Sequence, residues 1–389
     1  MSGRNYDAVV VGAGSVGNPT ALFLAEAGLK VLVLDKRAAP GQGENKSAIG
    51  GVRATHSDPA KIQTALDSLQ LMSTWKETYG TDIGWKPGGY CFPAYSQDVE
   101  RALDGILPIQ KSFGLDIDWV DADGVAEVVP GINRQGLIGG TYSPGDGQVC
   151  PLMTAVAVER AATEKGAQYR YNETVTGYGV EKGQVFEVIT DRSTYSTPCV
   201  VVATGADAAR DGEALGIEIP VFPDSHEAGI SAPIKPFLPS LVVDLRPGLE
   251  GRTANFYFGQ IHTGQIIFCY TPRELFPGTS RESLSEFMPT IAKRLISVMP
   301  RFRDLLVRRV WRGLYPMTPD GIPIVDQVRE IKGLYLGVGM CGQGFMLGPG
   351  VARNLTSMIL NGESTLPAEV QRTFRFNRDF HASTTEALK

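Results

Sequence analysis

Residues 9–17 read VVVGAGSVG, an apolar run that breaks into glycines at positions 12, 14 and 17. A GxGxxG spacing serves any tight turn, and only its surroundings make it a phosphate cradle. Tyr6 to Val11 is a continuous apolar stretch around Asp7, the pattern of a strand buried on both faces of a parallel sheet. Thr20 to Ala27 carries an apolar helical face with Gly28 to end it, and LKVLVLD over 29–35 is a second buried strand that closes on an acid. Strand, turn, helix and strand follow in order, with Asp35 about 20 residues beyond the glycines. Gly12 permits the turn, Gly14 admits a pyrophosphate to the backbone, and Gly17 lets helix and strand pack closely. The helix N-terminus, with Ser15 and Val16 in the turn before it, offers N–H groups and partial positive charge to phosphate. Asp35 accepts hydrogen bonds from ribose hydroxyls, so the segment predicts a dinucleotide site.

Bulk properties narrow the setting. At 389 residues the chain is long enough for two domains. Its 43% hydrophobic and 20% charged content is ordinary for a globular protein, and a net charge of −5 gives no reason to expect nucleic acid or an anionic membrane as partner. No apolar window approaches the roughly 20 residues of a membrane span. MSGRNYDAVVV runs into the first strand without the basic-then-apolar order of a signal peptide. Cys91, Cys150, Cys199, Cys269 and Cys341 are scattered, odd in number and free of CxxC spacing, and the four histidines are equally dispersed. The expectation is a cytoplasmic, metal-free protein with reduced thiols.

Two later segments bear on which dinucleotide binds. TPCVVVATGADA (197–208) is another buried strand running into Ala203, Thr204 and Gly205. IKGLYLGVGMCGQGFMLGPGVARNLTSMIL (331–360) joins a strand, a glycine-dense loop and a helix expected to begin near Pro349. A nicotinamide dinucleotide rarely needs such a distant second element, whereas long FAD does. Ordinary loop–helix junctions are the alternative.

Taken together, these residues make the chain resemble the D-amino-acid oxidase superfamily of FAD proteins. Within it the resemblance is to sarcosine oxidases, to the beta subunits of heteromeric sarcosine oxidase and dye-linked proline dehydrogenase, and to glycine oxidase. VVVGAGSVG with LDK, VVATGADA, HEAGISAPIKP (226–236), YPMTPDGIPIVD (315–326) and GVGMCGQGFMLGPG (337–350) carry it over nearly the whole chain. The implied fold is α/β: a Rossmann-like, glutathione-reductase-type FAD domain (1–85, 150–220 and 315–389) interleaved with an α+β substrate domain (86–149 and 221–314) on a mixed or antiparallel sheet. The sequence is compatible with it. Residues 253–271 read as a hairpin around His262-Thr263-Gly264, and 61–78, 97–113, 152–165 and 284–298 carry helical apolar spacing. Residues after Phe380 read as a frayed tail.

The resemblance also implies chemistry: oxidation of a C–N bond by hydride transfer from the α-carbon to flavin N5, then hydrolysis of the imine. The implied cofactor contacts are Gly12, Gly14, Ser15, Val16, Gly17, Asp35, Lys36, Arg37, Lys46, Ser47, Val175, Ala203, Thr204, Gly205, Gly313 and the loop Gly342, Gln343, Gly344, Phe345, Met346. The helix expected near Pro349, with Gly348 and Gly350 beside it, would stabilise negative charge on the reduced ring, close helix packing being the other use of these glycines. In GQGENKSAIGGVRATHSD (41–58), Arg53 is the candidate for a substrate carboxylate, because a guanidinium matches that planar group with paired hydrogen bonds. His56 is a candidate near substrate or flavin, and Lys46 one over the ring near N5; an ion pair, a loop cap and a solvated lysine are their plain alternatives. Tyr257 on the hairpin and Tyr315 before TPD are pocket candidates, against simple sheet packing. Asp320 reads as a turn-fixing acid.

Three departures from monomeric sarcosine oxidases matter. Gly313 stands near the cysteine that tethers their flavin, so FAD is expected to be held non-covalently. Met346 replaces the lysine of their GFK loop, which moves carboxylate binding to Arg53 or Tyr257. Ile266 stands near their oxygen-activating hairpin lysine, which leaves room for a dehydrogenase that hands electrons to a dye, a quinone or a partner subunit in a hetero-oligomer rather than to dioxygen. SPGDGQVCP (143–151) has no histidine to tether FMN, and a loosely held FMN stays open. The expected function is FAD-dependent oxidation of sarcosine or another small secondary amino acid. The catalytic beta subunit of a proline, hydroxyproline or opine dehydrogenase is the alternative, and a flavin-fold scaffold without activity a third.

Overall fold

The computed structural model describes residues 4–251 and 253–381. The strands Ala8–Val11 and Val31–Asp35 pair in parallel at the centre of a six-stranded sheet. Gln168–Tyr171 lies outside the second; Val200–Val202, Leu334–Val338 and Ile324–Gln327 follow beside the first, the last being antiparallel. Alternation along each strand feeds two cores. Val10, Val33 and Val201 pack with the helices Gly17–Glu26, Pro59–Ser73 and Gly344–Asn361 on one face. Val9, Leu32, Val200 and Val202 pack on the other against Val185, Val188 and Tyr195 of a small four-stranded sheet. Chain order places neighbours of Ala8–Val11 on opposite sides of it, and such a switch point opens a crevice at the carboxyl ends of the strands.

A second sheet of eight strands runs in the order Val307–Met317, Phe222–Pro233, Gln265–Pro272, Thr253–Gln260, Leu241–Asp244, Tyr90–Ala94, Gly139–Ser143, Asp118–Asp121. All its pairings are antiparallel except that of Leu241–Asp244 with Tyr90–Ala94. One face buries Phe256, Phe258, Ile266 and Phe268 against Ile291 and Leu295 of the helix Phe287–Val298. The hairpin's other side chains, Tyr257 and Cys269 among them, face the crevice. No helix among the described residues is long and apolar enough to cross a membrane.

Three sequence expectations need correction. Ile266 points away from the crevice, because a period of two puts it with Phe268 in the apolar cluster, so it does not replace a group at the site. The last helix begins at Gly344, five residues before the expected start, and carries Pro349 inside it. The helix read over 61–78 breaks at Thr74 into Pro59–Ser73 and Trp75–Tyr79. Of the tail expected to fray beyond Phe380, residues 382–389 lie outside the described residues.

The early start of the last helix changes the meaning of its glycines. A Cβ on Gly348 would overlap the Ser15 carbonyl oxygen, and one on Gly350 that of Thr64. Both glycines are close-packing positions, and the helix N-terminus falls instead at Gly342–Gly344. Gly350→Ala is therefore expected to destabilise the protein by about 1–3 kcal/mol, since backbone cannot yield as a side chain does. Gly105→Ala, in the helix Gln97–Ser112 with nothing near its added methyl, should instead stabilise by about 0.5–1 kcal/mol. Urea midpoints shifting in opposite directions check both.

Candidate functional site

The two sheets enclose one cavity of about 590 Å³, within the usual range of roughly 300–1,000 Å³ for small-molecule sites. One end is bounded by close backbone contacts. Gly12 has φ +106°, and a Cβ there would overlap the Ala203 carbonyl oxygen. A Cβ on Gly17 would overlap the Gly12 carbonyl, so Gly17 packs the helix against the turn while Gly12, Gly14, Ser15 and Val16 form the wall. Asp35 accepts from the Ala13 amide through Oδ2 and the Arg37 amide through Oδ1, each at 2.7 Å, which ties the glycine turn to the end of the second strand. Lys36 and Asp207 form a 2.6 Å ion pair, and both line this end with Arg37, Val175, Ala203, Thr204 and Gly205.

At the other end Gly342, Gln343 and the first turn of the helix beginning at Gly344 meet the eight-stranded sheet. The Tyr257 and Tyr315 hydroxyls lie 3.0 Å apart. Burial raises both phenols well above their ordinary range, so both are neutral, and it pushes the Cys269 thiol on the same wall up to about 12. Ser47 and Gly313 line the cavity side by side, with room at Gly313 for no more than a hydrogen before the Ser47 side chain.

Arg53 is buried on the wall, its guanidinium donating to the Thr55 carbonyl and lying 5.6 Å from the Phe92 ring centre. The fully buried Asp146 accepts from the Ala54 amide at 2.9 Å, so it holds the backbone next to Arg53.

Two candidates lie off the wall. Lys46 sits in the short turn Asn45–Ser47, whose flanking residues face the cavity while the lysine is exposed. His56 is fully buried beyond a tight turn closed by its own amide to the Ala54 carbonyl, and it does not reach the cavity. Sequence reasoning missed Asp146, Asp224 and His226, all of which bear on the wall. Asp146 had one signal, a lone acid in the glycine-flanked GDG; Asp224 and His226 lie in a strand whose facing shows only in its pairing with Val307–Met317.

The family model of FAD dependent oxidoreductases known as DAO matches residues 7–358. The chain belongs to the DAO family. Mouse sarcosine dehydrogenase is 24% identical over 97% of this chain, but the chain spans only 42% of that protein's length. Glycine oxidase of Geobacillus kaustophilus is 27% identical over 89% of this chain and 90% of its own. Among solved structures, L-proline dehydrogenase from P. horikoshii superposes with a TM-score of 0.89 at 28% identity, covering 96% of this chain and 97% of that one.

The residues present fit FAD. A glycine turn leading into a helix N-terminus suits a pyrophosphate, the acid-ended strand stands beside it, and the same cavity extends to Gly342, Gln343 and the start of the helix at Gly344.

Asp146 gives the site a pH signature. Burial pushes its carboxyl up to about 7 from 3.8, against the opposing Ala54 hydrogen bond and Arg53 charge. The native state therefore holds a proton there that the unfolded chain has released, and stability from this group falls as pH rises from about 4 through 7. Asp146→Asn is expected to match wild type in urea midpoint near pH 4 and to exceed it at pH 8. Parallel pH curves for the two proteins would show that Asp146 is ionised throughout.

Proposed function

We propose that the protein oxidises the C–N bond of a small amino acid, sarcosine or another secondary amino acid, with FAD held non-covalently. One observation carries this: a single cavity joins the glycine turn Gly12-Ala13-Gly14 at the start of the first helix to a wall holding Arg53, Tyr257 and Tyr315. In this reading the segments of the six-stranded sheet form the cofactor half and those of the eight-stranded sheet the substrate half. When bound, FAD supplies a two-electron acceptor. Asp35 and the N-terminal turn would hold its adenosine end, and the helix beginning at Gly344 would offer its N–H groups and positive dipole end to the reduced ring. Gly313 offers no side chain for a tether.

Arg53 binds the substrate carboxylate. The neutral hydroxyls of Tyr257 and Tyr315, with Met346 on the same wall, make a weakly polar surround in which an ammonium is costly, and this favours the free amine that C–N oxidation requires. The five cysteines are all unpaired, which supports a cytoplasmic location.

A second reading, the catalytic subunit of a heteromeric dehydrogenase, has its own support. Among the described residues the only lysine on the cavity wall is Lys36, at the nucleotide end and paired with Asp207. Leu152, Met153 and Val156 also expose an apolar face on the helix Pro151–Glu164, suited to a partner chain.

Purified protein should carry a flavin spectrum that sarcosine, proline or glycine bleaches without air. Reoxidation by dioxygen supports the oxidase, and reoxidation only by an added dye the dehydrogenase. A flavin that no amino acid bleaches overturns the amine assignment. Arg53→Lys should retain FAD and raise the half-saturating substrate concentration about 10–100-fold, because an ammonium cannot reproduce the paired geometry. An unchanged value would remove Arg53 as the anchor.

A further inference from the structure

The cavity wall contains a buried imidazole that plays no part in the roles assigned above. His226 lies in the strand Phe222–Pro233, opposite Gly313 in antiparallel register, and lines the cavity. Its ring packs on Tyr315 with centroids 3.8 Å apart and planes at 32°. Gly342 meets the same tyrosine along its Cδ2–Cε2 edge, where any Cβ would overlap the ring. Tyr315 is thus confined by an imidazole and by bare backbone, with its hydroxyl 3.0 Å from that of Tyr257.

The imidazole is itself held from behind. His226 Nε2 lies 3.3 Å from Oδ2 of the fully buried Asp224, a close contact that falls short of an aligned hydrogen bond. Asp224 Oδ1 accepts from the Phe276 amide at 2.5 Å, in the segment that covers the cavity beside Leu275. Asp224 stays ionised. Burial opposes this, but the His226 and backbone contacts outweigh it and hold the carboxyl below its ordinary range. Burial pushes the His226 imidazole below its ordinary value despite the acid, so a flat, neutral ring backs Tyr315 at neutral pH. His226 Nδ1 has no hydrogen-bond partner among the described residues. Buried polar atoms are usually paired, so an under-bonded His–Asp pair at this point is unusual for simple packing.

We propose that His226, backed by Asp224, is a positioning residue for amine oxidation: it fixes Tyr315, and through the hydroxyl pair Tyr257, in the wall that faces the substrate. This rests on the function proposed above. The effect is geometric, and displacing a reacting group by about 1 Å costs on the order of 100-fold in rate.

The test is anaerobic stopped-flow bleaching of the FAD-loaded protein by whichever amino acid the panel identifies, giving a limiting rate and a half-saturating concentration separately. His226→Ala is expected to lower the limiting rate 10–100-fold with little change in half-saturation. His226→Phe keeps a flat ring and the buried volume, and should recover most of that loss. In a Tyr315→Phe background, His226→Ala should cost no more than about 2–3-fold further, because the two residues act through one hydroxyl. Flavin content and urea midpoints identify variants that fail to fold, and His226→Phe with the Tyr315→Phe cycle then carries the test. Equal limiting rates in wild type and His226→Ala, or independent losses that multiply in the double variant, overturn the positioning role and leave the proposed function standing. A wild-type flavin that no amino acid bleaches overturns both.

Discussion

The cavity exists because three stretches of backbone touch where no side chain fits. Gly17 lies under the Gly12 carbonyl, Gly12 against the Ala203 carbonyl, and Gly348 against the Ser15 carbonyl. These contacts join segments nearly the whole chain apart: the first turn, the loop after Val200–Val202 and the last helix. Each is a contact between main chains, so a methyl group at any of them would separate elements rather than merely crowd a rotamer. The glycine turn that suits a pyrophosphate is thus the same feature that locks the six-stranded sheet to its helices.

Over the cavity, a segment without regular structure is strapped down by carboxylates. Residues 273–286 receive Asp224 at the Phe276 amide, Glu227 at the Leu284 amide, and Glu44 at Arg281 through a 2.8 Å ion pair. Each acid has a second engagement. Glu227 pairs with the buried Arg312 at 2.8 Å, Glu44 accepts from the Leu314 amide at 3.0 Å, and Asp224 contacts His226. Buried or half-buried carboxylates with two partners from different segments hold position far better than surface ion pairs, whose net worth is small. The cover of the cavity is therefore coupled to the strand bearing Tyr315, and the coupling runs through groups that also touch the wall.

How much of this was legible in the sequence follows from the kind of constraint involved. The glycines at 12, 14 and 17, the acid at 35 and the 203–205 turn were readable because covalent geometry demands them at fixed offsets within one strand–turn–helix unit. The hairpin was readable from its period and its turn. The start of the last helix was not, because Pro349 and the glycines around it look like a helix beginning, while the true packing partners, Ser15 and Thr64, lie hundreds of residues away. Lys46 and His56 lie off the cavity wall for a related reason. Their loop carries chemistry-bearing residues, but turns of three residues decide which of them face inward, and those turns are set by contacts outside the segment. Asp224 and His226 became visible only once the pairing register fixed which way their strand faces, and a lone acid in GDG was the one sign of Asp146.

The same division explains how relatives of 22–28% identity share this fold while differing in name as oxidases and dehydrogenases of several amino acids. At one end the cavity wall is rich in glycines, Gly12, Gly14 and Gly205 among them, which a change of substrate would leave alone. The far end is built from side chains projecting at alternate positions of two long strands and one loop, and each can change without disturbing the sheet beneath it. Met346 in the first turn of the last helix and a tyrosine pair backed by an imidazole are choices of that second kind, whereas Gly313 is fixed by the Ser47 side chain against it. A buried site that pairs its polar groups this closely discriminates chiefly by leaving a wrong ligand's partners unsatisfied, a larger effect than a change of apolar fit. On the reading proposed above, selectivity would be set by the side chains lining the far end of the cavity, Arg53, Tyr257 and Tyr315 among them, on a scaffold held together by glycine contacts.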